Sequence, residues 1–265
     1  MSTIAIGDIH GNLPPLVDLL GQIGDQVGDG DTVVFLGDYI DRGLKTKECV
    51  ETILAFQRDS KAAVICLCGN HEDWLLRTLA DPRRHSWLLG MEAFDTIRSY
   101  SADAAHVVRD AATEAGLALI VSPPALSYEM FFNVVPQAHL RFFRGLVPYC
   151  QSADCLCVHG GVDPRGPRIQ DQTREAVLWG GDGFPEQYEG AEMVVYGHRN
   201  NADVGPSGWP KPKIIGRTIG LDTISHGVLT AMRFPGQHLF QSARYKAPAS
   251  QSQTIQETAP VNRQG

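Results

Sequence analysis

One arrangement recurs along this chain and limits its folds more than any other feature. A short apolar run stops at a glycine, and side chains able to bind a metal stand beside that glycine. The run at 3–6 leads into Gly7-Asp8-Ile9-His10-Gly11. The run at 32–36 leads into Gly37-Asp38-Tyr39-Ile40-Asp41-Arg42-Gly43, and the run at 63–67 leads through Cys68 to Gly69-Asn70-His71-Glu72. Continuous apolar runs of this length read as strands covered on both faces. Between them, Leu16, Leu19, Leu20 and Ile23 form one stripe at helical spacing, and Val50, Ile53, Leu54 and Phe56 form another. Strand, helix, strand, helix, strand predicts a layered α/β fold. In such sheets ligands bind beyond the carboxyl ends of the strands, where the three loops would meet.

Two later segments repeat the pattern. His159-Gly160-Gly161 follows an apolar run at 155–158, and Gly197-His198 follows another at 193–196. Glycine and aspartate favour turns in any protein, so one such cluster alone says little. Five in series, each at an expected strand end, point to a single site. The collected set is Asp8, His10, Asp38, Asn70, His159 and His198. Carboxylate, imidazole and amide oxygen together suit divalent ions such as Mn, Fe or Zn.

The remaining chain fits the same layered fold. Helical patterns begin at Trp74 and continue near 91–98, 103–115 and 137–146, punctuated by Pro82, Pro123-Pro124 and Pro136. They predict a helical insertion over about 81–150, capping one edge of the sheet. Runs at 218–221, 227–232 and 238–241 read as a closing antiparallel meander. We expect one domain over 1–245 and a disordered tail over 246–265, where apolar residues nearly vanish. Cys49, Cys66, Cys68, Cys150, Cys155 and Cys157 need not form a disulfide framework in a chain of 265 residues. The Cys-x-Cys pairs at 66/68 and 155/157 read as buried structural thiols on strand faces. No run approaches the ~20 apolar residues of a membrane span, and the N-terminus lacks a signal-peptide layout. A reduced cytoplasm is expected. The net charge of -7 argues against a broad basic surface for nucleic acid but not against an anionic substrate.

On these residues the chain resembles the phosphoprotein phosphatase branch of the calcineurin-like metallophosphoesterases, in particular its small bacterial and phage serine/threonine protein phosphatases. The resemblance is dense at 7–73, returns at 158–161, 196–199 and 221–232, and is weak across 100–150. It implies a β-sandwich flanked by helices. It also implies two divalent ions, manganese foremost with iron or zinc as alternatives. Asp8, His10 and Asp38 would hold the first, and Asp38, Asn70, His159 and His198 the second. By the same resemblance a metal-bridging hydroxide would attack phosphorus in line. His71 would be the general acid, oriented by Asp41, and Arg42 would grip phosphate oxygens with Asn70 beside it.

The stretch Leu178-Trp179-Gly180-Gly181-Asp182 departs from that pattern, because relatives often carry a phosphate-binding arginine shortly after the tryptophan. Arg174, Arg168 or Arg165 would then substitute. His226, downstream of the last ligand, is a candidate to line the cleft. The leading expectation is a serine/threonine protein phosphatase acting on a phosphorylated protein or small phosphoester, compatible with a monomer. The alternative is a hydrolase of diadenosine tetraphosphate or other nucleotides; such relatives often lack the aspartate before the arginine, so Asp41 favours the first reading. A catalytically inactive scaffold that captures phosphorylated partners would have lost a ligand or the acid, and here all stand.

Overall fold

The computed structural model describes residues 1–246. In chain order its strands are β1 (Thr3–Ile6), β2 (Thr32–Phe35), β3 (Ala63–Cys66), β4 (Tyr149–Gln151), β5 (Leu156–Val158), β6 (Val194–Tyr196), β7 (Ala202–Val204), β8 (Pro210–Ile215), β9 (Thr218–Gly220), β10 (Thr230–Phe234) and β11 (His238–Gln241). They form two sheets, ordered β11-β10-β1-β2-β3 and β4-β5-β6-β9-β8-β7. The helices are α1 (Leu13–Gly24), α2 (Thr46–Asp59), α3 (Asn70–Ala80), α4 (Ser86–Gly90), α5 (Ala93–Tyr100), α6 (Ala102–Ala115), α7 (Ala118–Val121), α8 (Glu129–Phe132), α9 (Gln137–Arg144) and α10 (Arg174–Trp179). None is long and apolar enough to cross a membrane.

Strand periodicity divides the apolar side chains between layers. Successive strand residues point to opposite faces, so Ile4 and Ile6 of β1 pack among the helices while Ala5 faces the other sheet. Val33 and Phe35 divide from Val34 and Leu36 in the same way. In the second sheet Leu156 and Val158 point outward toward Val177 of α10, while Cys155 and Cys157 point into the space between the sheets. There they meet Val195, Ile219 and Met232. The cysteine pair is therefore a small-residue filling of the sandwich, with its sulfurs 3.8 Å apart.

Two expectations change. The run at 63–67 meets both layers, Val64 and Cys66 on the helix side and Ile65 and Leu67 between the sheets, but its cover is incomplete because β3 is the sheet's edge, with Ala63 exposed and Val64 and Ile65 half-buried. The runs at 218–221, 227–232 and 238–241 do not form one meander. β9 lies parallel to β6 in the second sheet, whereas β10 pairs antiparallel with β1 and β11 in the first. The β7–β8 hairpin was hidden by Pro210 and Pro212, which fall where β8 is bonded on one side only, by β7. The helical insertion is present, and its end lies along the β3 edge, where Val147 N–H donates to the Cys66 carbonyl and Cys68 N–H to the Val147 carbonyl. Trp87 of α4, Ile97 of α5, Val108 of α6 and Phe143 of α9 share one core with α1, α2 and the first sheet. The expected tail lies outside the described residues apart from Lys246.

Of the six cysteines, five are buried and Cys150 is half-buried. A thiol reagent added to the native protein should modify at most Cys150 rapidly, and all six after denaturation. Rapid modification of Cys155 or Cys157 in the native state would contradict the sandwich packing.

Candidate functional site

β1, β2 and β3 run parallel, as do β5, β6 and β9. The segments leaving their carboxyl ends deliver Asp8 and His10, Asp38, Asn70 and His71, His159, His198, and Asp222. All are buried except His198, which is half-buried. Bringing six loops this close bends the backbone. His10 (φ 46°), Asp38 (52°), Asp41 (69°), Arg42 (63°) and His198 (77°) adopt left-handed conformations. Each costs a non-glycine residue about 1–3 kcal/mol. Such strain persists only where surrounding bonds over-determine it. A Cβ added at Gly69 would collide with the Asp38 carboxylate, and one at Gly197 with Asp8.

Glu72 supplies much of that restraint. Its Oε1 accepts N–H bonds from Tyr39 (2.9 Å) and Ile40 (3.2 Å), and its Oε2 from Asp38 (3.0 Å) and Gly69 (3.1 Å). One buried carboxylate thus ties the loop after β2 to the start of α3. Burial, then the nearby Asp38 charge, push its carboxyl up to about 8, against the pull of these donors. Sequence reasoning gave Glu72 only the favourable place of an acid at a helix N-terminus. The clue to more lay in its position within the same first turn of α3 as Asn70 and His71.

Asp38 lies at the centre. Its Oδ2 is 3.5 Å from His10 Nε2 and 3.8 Å from His71 Nε2, and its Oδ1 is 3.3 Å from His159 Nε2. Oδ2 is buried and accepts no hydrogen bond. His10 Nδ1 donates to the Ile40 carbonyl and His159 Nδ1 to the Leu36 carbonyl, both at 2.9 Å. These bonds turn each Nε2 lone pair inward. His159 Nε2 and His198 Nδ1 face Asn70 Oδ1 at 2.8 and 2.9 Å. Asp8 Oδ2 lies 3.9 Å from His10 Nε2 and accepts the His198 N–H. Acceptors converging on a buried carboxylate oxygen without a donor are the surroundings a cation satisfies. Two groups have mutually close ligand atoms: His10, Asp38 and His71, and Asp38, His159 and His198. The residues fit divalent metal binding.

Beside this cluster, Asp41 holds His71. His71 Nδ1 donates to Asp41 Oδ2 at 2.7 Å, Trp87 Nε1 donates to the same oxygen at 2.9 Å, and Thr96 Oγ1 donates to Oδ1 at 2.6 Å. Trp87 and Thr96 come from the insertion, and nothing in their spacing marked them. Arg42 reaches across both imidazoles, with Nη1 2.9 Å from His10 Nε2 and Nη2 3.4 Å from His71 Nε2.

Burial dominates the electrostatics. It opposes ionisation of Asp38, yet His159, His71 and His10 hold that carboxyl well below the usual range. Burial, then the Asp222 and Asp38 charges, raise Asp8. Burial and the Arg42 charge lower His10, and burial with His159 pushes His198 down to about 3. His71 differs: burial would lower it, but Asp38 and the Asp41 hydrogen bond leave it raised.

The six expected ligands, His71, Asp41 and Arg42 all converge. Arg174 does not join them, because Asp73 holds its guanidinium at 2.7 Å. Arg165 donates to Gln187, and Arg168 faces Asp171. The guanidinium beside Trp179 belongs instead to Arg199, which donates to the Trp179 carbonyl at 2.7 Å. In the segment expected to offer His226, Asp222 reaches the site: it accepts the Asn200 N–H, and its Oδ1 is buried without a hydrogen bond. Asp222 follows β9 as Asp8 follows β1, a signal obscured by reading β9 into a meander.

Residues 1–210 match the family described as calcineurin-like phosphoesterase. A bis(5'-nucleosyl)-tetraphosphatase (asymmetrical) of Bacillus velezensis is 27% identical, covering 87% of this chain and 88% of that protein. One from Geobacillus thermodenitrificans is also 27% identical, covering 87% and 89%. A PP2A-like serine/threonine-protein phosphatase of Saccharomyces cerevisiae is 36% identical, but over 25% of this chain and 18% of its own. Among solved structures, a proposed diadenosine tetraphosphatase superposes with TM-score 0.60 at 19% identity, covering 93% and 95% of the two chains. This likeness shows the fold alone.

Two measurements test the geometry. Glu72→Gln replaces one acceptor oxygen by a donor against buried N–H groups, and should lower unfolding free energy by about 1–3 kcal/mol in urea titration. His10 and His198 have folded pKa values below the ordinary 6.5. Below that pH the unfolded chain binds more protons than the folded one at these two imidazoles, so their contribution to stability falls with pH, while Glu72, Asp8 and His71, raised in the fold, oppose it. Compared with a His198→Gln variant, which lacks one of the two imidazoles, the urea midpoint of the chelator-treated native sequence should therefore lose more, or gain less, from pH 7 to pH 5. The same pH dependence in both proteins would show that the His198 imidazole is not buried in its neutral form.

Proposed function

The chain belongs to the calcineurin-like phosphoesterases, and from that membership we propose that it is a metal-dependent hydrolase of dinucleoside polyphosphates such as diadenosine tetraphosphate. The observation that carries the substrate class is the extent of likeness. The tetraphosphatases align along nearly nine-tenths of both chains, whereas the likeness to a serine/threonine-protein phosphatase stops after 67 residues. This reverses the order expected from Asp41 alone. The protein-phosphatase reading keeps one specific support, the 2.7 Å bond between Asp41 and His71, since an alkoxide leaving group needs a proton more than a phosphate does.

In this reading Asp8, His10 and Asp38 hold one divalent ion, and Asp38, Asn70, His159 and His198 hold the other. Manganese is the ion to load first, for a set of oxygen and nitrogen donors without thiolate. Bound metals supply charge neutralisation at the phosphate and a more acidic water. Arg42, whose fork rests against His10 and His71, stands at the rim, where it would turn to phosphate oxygens once a metal takes His10 Nε2. His71, held by Asp41, presents Nε2 to the leaving oxygen as proton donor. Thr96 and Trp87 keep Asp41 in the orientation that fixes this imidazole.

Manganese-loaded protein should cleave diadenosine tetraphosphate with kcat/KM at least ten-fold above that for a phosphoserine peptide. EDTA or Asp38→Asn should abolish both activities. His71→Asn should lower kcat on the phosphopeptide by about 10²–10⁴ and on the dinucleotide by less. Preference for the phosphopeptide would establish the protein-phosphatase reading instead.

A further inference from the structure

A cavity of about 460 Å³ lies between α3, α4 and the region of α7. That volume is within the range of ligand pockets. Its lining includes Trp74, Arg77, Arg83, Arg84, Leu89 and Ile120. Resting on the nucleotide reading above, we propose that this cavity receives the far nucleotide of an extended polyphosphate substrate, with its base on Trp74 and its phosphates along the arginines.

Helix geometry connects the cavity to the reaction centre. Asn70, Trp74 and Arg77 are spaced i, i+4 and i+7, so they form one stripe along α3. The stripe spans about 10 Å at 1.5 Å per residue. Its N-terminal end is Asn70, whose Oδ1 faces His159 and His198. The Trp74 ring lies 5.5 Å from that of Trp179, which lies 5.1 Å from His198. An aromatic wall thus runs from the metal-binding cluster into the cavity. A substrate cleaved at one end and carrying further phosphates and a second base would follow this wall.

The lining suits such a ligand. Arg77 pairs with Asp73 and Arg83 with Asp81, but Arg84 makes no side-chain hydrogen bond or ion pair among the described residues. Three guanidiniums against two carboxylates leave a positive excess in the lining. Leu89 and Ile120 are 54% and 71% exposed, apolar surface that a base would cover. Planar guanidiniums match phosphate oxygens, and bases stack on an indole whatever their identity. A phosphoserine peptide has no base and no polyphosphate to fill this pocket.

The test compares two substrates in the manganese-loaded full chain. Trp74→Ala and the double variant Arg83→Ala/Arg84→Ala should raise KM for diadenosine tetraphosphate about ten-fold more than KM for p-nitrophenyl phosphate, with smaller effects on kcat. The arginines are exposed, so the double variant keeps the test independent of any folding defect from losing Trp74. Equal charge removal by Arg58→Ala/Lys61→Ala, at the far end of α2, should move neither substrate. Parallel changes on both substrates in the Arg83/Arg84 variant would overturn the subsite while leaving the hydrolase reading intact. If neither substrate turns over, that reading fails instead. Equilibrium binding of diadenosine tetraphosphate to chelator-treated protein then judges the subsite by itself: about ten-fold weaker binding in the arginine variant supports it, and equal binding overturns it.

Discussion

Everything near the site is organised by one buried carboxylate. Asp38 lies in a water-excluded centre with its Oδ2 unbonded and three imidazoles within 3.8 Å. A buried anion is expensive unless opposing charge surrounds it. Protons on the histidines can provide that charge, but burial works against them at His10 and His198. Divalent cations provide it without that conflict. The strained backbone at His10, Asp38, Asp41, Arg42 and His198 follows from the same need, since the side chains must reach a common point from separate loops. Glu72 opposes that strain by holding four backbone N–H groups of two loops on one carboxylate.

Two sets of parallel strands explain how the loops come together. Parallel strands place all their carboxyl ends at one edge, and two stacked parallel trios bring six such ends to face each other. Much of this was legible in the sequence. Each apolar run that ends at a glycine with Asp, His or Asn nearby marks a strand and its ligand together, so all six expected ligands converge. The i, i+2 cysteines were legible as strand-face filling because their spacing matches the strand period.

What escaped reading depended on contacts between segments distant in the chain. Whether a run is central or at an edge, as with β3, depends on neighbours that a run of apolar residues does not name. β9 reads like any short strand, and only its pairing with β6 separates it from β10 and brings Asp222 to the site. Trp87 and Thr96 sit in amphipathic helices whose polar groups look like ordinary surface or capping residues, yet they close the hydrogen bonds around Asp41. The missing arginine after Trp179 led to neighbours in sequence, whereas Arg199 reaches that tryptophan from another loop. The proposal of a nucleotide substrate rests on likeness along nearly nine-tenths of the chain, which no single motif carries.

The central claim is that Asp38 is shared between two metal ions. Metal content per chain, measured by elemental analysis after manganese loading and removal of free ion, tests it most directly. The account predicts about two ions per chain in the native sequence and fewer than one after Asp38→Ala, with the variant still folded by circular dichroism. Two ions retained by the folded variant, or none in the native protein, would contradict it.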